Sequence, residues 1–239
     1  MMAQRGTTSK PVPKSSRAVM ASRREPPNSL DFFPTPPWAT RALCQHVLAR
    51  QPLDVLTCWE PAAGRGHMAD VLVEYFKRVH ASDVFDYGCG YATGSFIGAG
   101  LDVAACPFRP DFIITNPPFN EAEAFVQRAL SKAAIGVAML VRTAWLESRG
   151  RYESLFSVAP PAQVALFVER VPMVKGRWDP DASTATSYAW VVWWATGKRS
   201  ETTRLTWIPP GCRDHLTRPD DRRRFAPETL PAGFQPGLI

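Results

Sequence analysis

Apolar residues fall in short runs separated by stretches with helical spacing. Residues 111–115 and 136–141 are apolar with little alternation, the signature of strands buried on both faces. Runs at 55–59, 79–83, 164–168 and 188–194 predict further strands, with a short third strand near 101–103 and an edge closed by Thr206, Trp207 and Ile208. Trp38, Ala42, Leu43, Val47 and Leu48 share one helical face, behind Thr35 as a cap and Pro36 as the first helical residue. Helices are also expected at roughly 67–78, 121–130 and 149–157, and a glycine-rich loop with a short helix at 84–100. Strands alternating with helices give an α/β protein.

The ends differ from this body. Residues 1–29 are rich in Ser, Thr, Pro and basic groups without hydrophobic period, so they read as a disordered basic tail that either holds phosphates or only solubilises. The folded domain is assigned to 30–208. Residues 209–239 are Pro- and Arg-rich, with Arg222, Arg223 and Arg224 as a dense cluster, and little order is expected there.

Composition narrows the class. With 239 residues and 45% hydrophobic content the chain can bury a substantial core, and no run approaches a membrane span or a secretory signal, so a cytoplasmic location is expected. Five scattered cysteines without a Cys-x-x-Cys pair argue against a disulfide framework and against a zinc site; no metal is expected. The net charge of +6 is uneven: residues 1–30 hold six basic groups against one acid, 31–141 are acidic by three and 142–208 basic by three. Such asymmetry fits a cofactor half and a polyanion-facing half, although ordinary solvated surfaces show it too.

Candidate chemistry clusters at strand ends. Asn116, Pro117, Pro118 and Phe119 leave the buried strand at 111–115. Two prolines stiffen this loop and lack N–H groups, so the Asn116 side-chain oxygen and the Pro117 carbonyl form a rigid pair of acceptors for a planar amine, with Phe119 as a stacking ring. Both bonds draw the amine's lone pair out of conjugation, readying it to attack an electrophilic methyl without metal or strong base. Glu60, Pro61, Ala62, Gly64 and Gly66 form a turn between strand and helix, where the glycines permit close approach and Glu60 can accept from an ammonium. Asp83, at the end of the next strand, is placed either for two ribose hydroxyls or for a salt bridge or cap. Asp102 could accept from a purine amino group. Thr35 and free amides at its helix start suit a carboxylate. A second Gly-x-Gly after Asp86 lies too close to Asn116 for the intervening crossovers, and His67 and His80 read as structural. The polar stretch 170–187, with Lys175, Arg177 and Trp178, is either a nucleic-acid contact or an ordinary loop.

Four motifs, Phe-Pro-Thr-Pro-Pro at 33–37, Glu-Pro-Ala-Ala-Gly-Arg-Gly at 60–66, Asp83 and Asn-Pro-Pro-Phe at 116–119, together resemble the class I S-adenosylmethionine-dependent DNA adenine-N6 methyltransferases, including small phage- and prophage-type members. The resemblance covers about 31–208 and implies a Rossmann-like, seven-stranded, mostly parallel sheet with an antiparallel seventh strand and helices on both faces. It implies S-adenosylmethionine as cofactor: Thr35 on the methionine carboxylate, Glu60 to Gly66 on the methionine moiety, Asp83 on the ribose, and Val84, Asp102 and Val103 around the adenine. Asn116 and Pro117 would grip a flipped DNA adenine, with Phe119 stacked on it. No segment matches the sizeable recognition domain of sequence-strict members, so specificity is expected to be weak, or to rest on 170–187 and the tails, or on another chain. The same Asn-Pro-Pro-aromatic motif occurs in enzymes acting on guanine N2 of ribosomal RNA and on release-factor glutamine, and a silent nucleic-acid-binding module could retain the fold.

Overall fold

The apolar runs pair into one mixed sheet. The computed structural model describes residues 31–98, 103–195 and 201–226, within the compact unit Asp31–Pro236. The strands are β1 (Thr57–Glu60), β2 (Arg78–Asp83), β3 (Ala92–Thr93), β4 (Phe112–Thr115), β5 (Gly136–Arg142), β6 (Gln163–Phe167), β7 (Tyr188–Trp194) and β8 (Arg204–Ile208). They lie in the order β3-β2-β1-β4-β5-β7-β6-β8, with β7 antiparallel to β5 and β6 and the other pairs parallel. Helices are α1 (Pro37–Ala42), extended by a π turn at Leu43–Val47, then α2 (Ala69–Leu72), α3 (Ala122–Lys132), α4 (Arg149–Arg151), α5 (Cys212–Leu216) and α6 (Asp221–Phe225).

The central strands are buried on both faces, and successive side chains serve two different cores. Phe112, Ile114, Leu140 and Trp190 pack with Trp38, Ala39 and Ala42 of α1, while Ile113, Met139 and Val191 pack with Phe125, Val126 and Ala129 of α3. Burying these runs between helices supplies the main drive to fold, at roughly 1.5–3 kcal/mol for each large apolar side chain. The Trp190 indole also donates to the Ala39 carbonyl (3.0 Å), fixing α1 against the sheet.

Several expectations need correction. The described sheet has eight strands rather than seven, because 204–208 forms a full edge strand parallel to β6. No helix occurs in 84–98: Gly88 and Gly90 take φ of 73° and 74°, left-handed values that break a helix, and this stretch instead supplies β3. The expected third strand reduces to a bridge between Ser95 and Val103, with Leu101 and Asp102 outside the described residues. Thr35 is not the cap of α1. Pro36 takes that position and Pro37 the first turn, and neither supplies an N–H, which removes part of the expected set of free amides. Thr35 itself is buried beside them.

The expectation of little order past residue 208 is also wrong for 209–226. Arg41, in the middle of the apolar helix α1, is 1% exposed and reaches Asp221 of α6, itself fully buried, and Glu74. Its Nη2 donates to Asp221 Oδ1 and Glu74 Oε1 at 2.8 Å each, and its Nη1 to the Leu216 carbonyl (2.7 Å). A buried guanidinium must be neutralised, so the C-terminal helices are required where the sequence showed only charge. Removing one partner strands the other charge: Arg41→Ala should lower unfolding stability by about 3–5 kcal/mol in urea titrations, whereas Arg41→Met combined with Asp221→Leu should lose clearly less.

Candidate active site

β1 and β4 are parallel neighbours, paired Cys58 to Phe112 and Trp59 to Ile113, and the strand order reverses between them. At such a switch point connections diverge and leave a crevice outside the carboxyl ends. Glu60 ends β1 there, and Asn116 follows the end of β4.

Asn116 is half-buried, and its amide nitrogen donates to the Phe33 carbonyl at 2.9 Å. That bond fixes which end of the amide is free. Oδ1 is buried with no donor. Among the described residues the Pro117 carbonyl likewise has no hydrogen-bond donor, whereas the Pro118 carbonyl accepts from Glu121 N–H (3.0 Å). Neither Asn116 Oδ1 nor the Pro117 carbonyl therefore has a donor among the described residues.

Phe119 is less free than its sequence position suggests. The Arg142 guanidinium at the end of β5 lies 3.7 Å from its ring centroid, the Phe33 ring packs at 5.1 Å and 45°, and its N–H donates to Asp31 Oδ2 (2.8 Å). A base can stack on Phe119 only where one of these side chains yields, and Arg142, exposed at its strand end, is the easier to move.

Across the switch point Glu60 is 2% exposed. The Ala69 amide donates to its carboxylate, but Oε2 has no partner, and burial together with nearby Asp83 and Asp70 holds its pKa well above the usual carboxyl range. Pro61 is buried and Ala62 half-buried behind it. Gly64 (φ 54°) and Gly66 (φ 86°) then make the turn, and both are required: a Cβ at Gly64 would meet the Phe32 ring at 2.5 Å and one at Gly66 the Tyr91 hydroxyl at 2.0 Å.

Asp83 binds this turn to β2. Its Oδ2 accepts from Gly64 N–H (2.7 Å) and its Oδ1 from Phe85 N–H (3.0 Å), while burial raises its pKa. Val84 beside it is exposed. Val103 lies past β3 in its bridge to Ser95, and Asp102 is outside the described residues. The geometry thus joins Glu60, the glycine turn and Asp83 in one cluster, and Asn116 to Phe119 in another, with the segment 31–33 touching both. Phe32, Phe33, Tyr91 and Arg142 were not foreseen as site residues; the exposed cation ending a buried strand was the signal for Arg142. Among the described residues no group of three His, Cys, Asp or Glu side chains is arranged to hold a metal ion, and no helix is long and apolar enough to cross a membrane.

No family model matches the chain, and no curated protein matches it in sequence. Solved structures do match. The type I restriction-modification system methyltransferase subunit from Streptococcus thermophilus superposes with a TM-score of 0.55 at 10% identity, over 73% of this chain and 47% of that one. The M protein of the type I restriction enzyme EcoKI gives 0.51 at 13%, over 71% and 46%. A protein described as a modification subunit of a type I restriction enzyme from Vibrio vulnificus YJ016 gives 0.50 at 16%, over 75% and 48%. The fold is a Rossmann-like methyltransferase fold. This chain spans about half the length of those structures. Three acceptors at the strand ends flanking the crevice between β1 and β4, Asn116 Oδ1, the Pro117 carbonyl and Glu60 Oε2, have no donor among the described residues.

The raised pKa of Glu60 carries a testable cost. The unfolded chain ionises at the ordinary carboxyl pKa, the folded one only at higher pH, so Glu60 subtracts from stability as pH rises above about 4.5. Glu60→Gln should therefore raise the melting temperature at neutral pH, by on the order of 1–3 kcal/mol in stability, with the gain vanishing below the ordinary carboxyl range.

Proposed function

We propose that this protein transfers a methyl group from S-adenosylmethionine to the exocyclic N6 amine of adenine in DNA. One observation carries the reading: Asn116 has its amide nitrogen tied to Phe33, and among the described residues neither its buried oxygen nor the adjacent Pro117 carbonyl has a donor. An isolated buried acceptor costs about 1–3 kcal/mol, and a ligand N–H is what relieves it.

Two acceptors held by a stiff Pro-Pro loop suit the two N–H groups of a planar primary amine. Accepting both turns the nitrogen lone pair out of the ring system, and it becomes nucleophilic without prior loss of a proton. S-adenosylmethionine supplies the electrophilic methyl: the N–C bond forms as the S–C bond breaks, and the surplus amine proton leaves to solvent. Glu60 Oε2, also without a partner among the described residues, would take the ammonium of the methionine end. Thr35 would take its carboxylate. Asp83 has lone pairs left for ribose hydroxyls after binding Gly64 and Phe85, and Val84, Asp102 and Val103 would border the adenine. An adenine in a duplex would have to leave the stack to reach Asn116, displacing Arg142 from Phe119 as it enters.

Purified protein incubated with labelled S-adenosylmethionine and unmethylated DNA should label adenine N6; label found only in ribosomal RNA or in a release factor rejects the acceptor. Asn116→Ala should reduce turnover by about two orders of magnitude or more while cofactor affinity stays nearly intact, because its hydrogen bond to the amine strengthens in the transition state. Equal loss of both would contradict the role assigned to Asn116.

A further inference from the structure

The β1–α2 turn, the β6–β7 loop and the segment after β8 all leave the sheet at its carboxyl edge, the edge that carries Glu60 and Asn116. They enclose an open groove of about 930 Å³ whose charged lining is Arg65, Arg177, Arg222, Arg223, Asp179 and Asp181. Arg177 pairs with Asp179 (3.1 Å) and Arg222 with Asp181 (2.8 Å). Among the described residues Arg65 and Arg223 have no acidic partner. Among the described residues the groove therefore presents two guanidinium groups without an acidic partner and two more each restrained by a single acid, half-buried Asp179 and exposed Asp181.

Its walls are fastened. Trp178 of the loop and Phe225 of α6 are buried against each other with Val71, Arg213 donates to the Pro180 carbonyl, and His67 Nε2 donates to the Phe225 carbonyl (2.9 Å). Burial pushes the His67 imidazole down to about 4, so it is neutral and the arginines set the sign. The loop is also tied to the site itself, since Gly176 N–H donates to the carbonyl of Phe32, next to the residue that orients Asn116. A pre-formed cationic trough with buried aromatics offers no ring for base stacking. It offers charge at fixed spacing, which suits a polyanionic backbone.

We propose that this groove binds the sugar-phosphate backbone of the DNA substrate, with Arg65 and Arg223 on phosphates and with Asp179 and Asp181 moderating Arg177 and Arg222. The proposal rests on the DNA reading above and adds where the backbone lies. In anisotropy titrations of the full chain with a short labelled DNA duplex across a KCl series, Arg65→Ala with Arg223→Ala should weaken binding and flatten the slope of log affinity against log salt by about 0.9 for each phosphate left unneutralised. Asp181→Asn, which frees Arg222, should tighten binding about two- to fivefold at low salt. Unchanged slope in the double variant at an unchanged melting temperature, or no gain from Asp181→Asn, overturns the proposal. Tighter, arginine-dependent binding of an RNA duplex overturns the DNA assignment. Arginine-dependent DNA binding without any methyl transfer would uphold the groove and reject the enzymatic reading, whereas methyl transfer to DNA adenine with arginine-independent DNA binding would uphold the enzymatic reading and reject the groove.

Discussion

A single hydrogen bond, from the Asn116 amide nitrogen to the Phe33 carbonyl, decides what the crevice can recognise. A primary amide offers donors at one end and acceptors at the other, and whichever end the protein satisfies, the other is what a ligand meets. With the nitrogen satisfied the site is an acceptor site, suited to an amine. The partners are 83 residues apart, so the chemistry at β4 depends on how the segment before α1 is held. Gly176 N–H on the Phe32 carbonyl, Asp31 on the Phe119 amide and the packing of Trp38 beneath the sheet hold it. The Arg41 network then pins α1 to the C-terminal helices, so stability at one end of the chain supports geometry at the other.

Such a site is a local stability deficit. Among the described residues Glu60 Oε2 and Asn116 Oδ1 are buried without donors, and the glycine turn is confined to left-handed backbone under the rings of Phe32 and Tyr91. The cores on both sheet faces and the buried Arg41 network offset these costs. Arg142, exposed at the end of β5, lies over the Phe119 ring at 3.7 Å.

The parts of the site that need particular residue types were legible in the sequence. An acid and two glycines after a strand, and an Asn followed by two prolines after a buried strand, specify their own backbone and chemistry, and the structure brings them to neighbouring strand ends. What escaped was whatever acts through backbone or across long separations. Phe33 contributes a carbonyl, which no side chain advertises. Arg41 was visible as a charge in an apolar helix, but its partner lies 180 residues away in a stretch whose composition resembled a tail. The helix start slipped because Pro36 and Pro37 both fit its first turn, and 84–98 holds no helix because Gly88 and Gly90 adopt left-handed backbone there.

The proposed cofactor role of Glu60, whose buried Oε2 has no donor among the described residues, allows the most direct test. Calorimetric titration of S-adenosylmethionine near pH 6, repeated in buffers of different ionisation heat, counts the protons exchanged on binding. A carboxyl whose pKa is raised in the free protein and which then meets an ammonium must give up its proton, so the wild type should release protons on binding, and Glu60→Gln should bind more weakly with that release abolished. No binding, or binding with equal affinity and proton exchange in both proteins, would contradict the role of the crevice as a cofactor site.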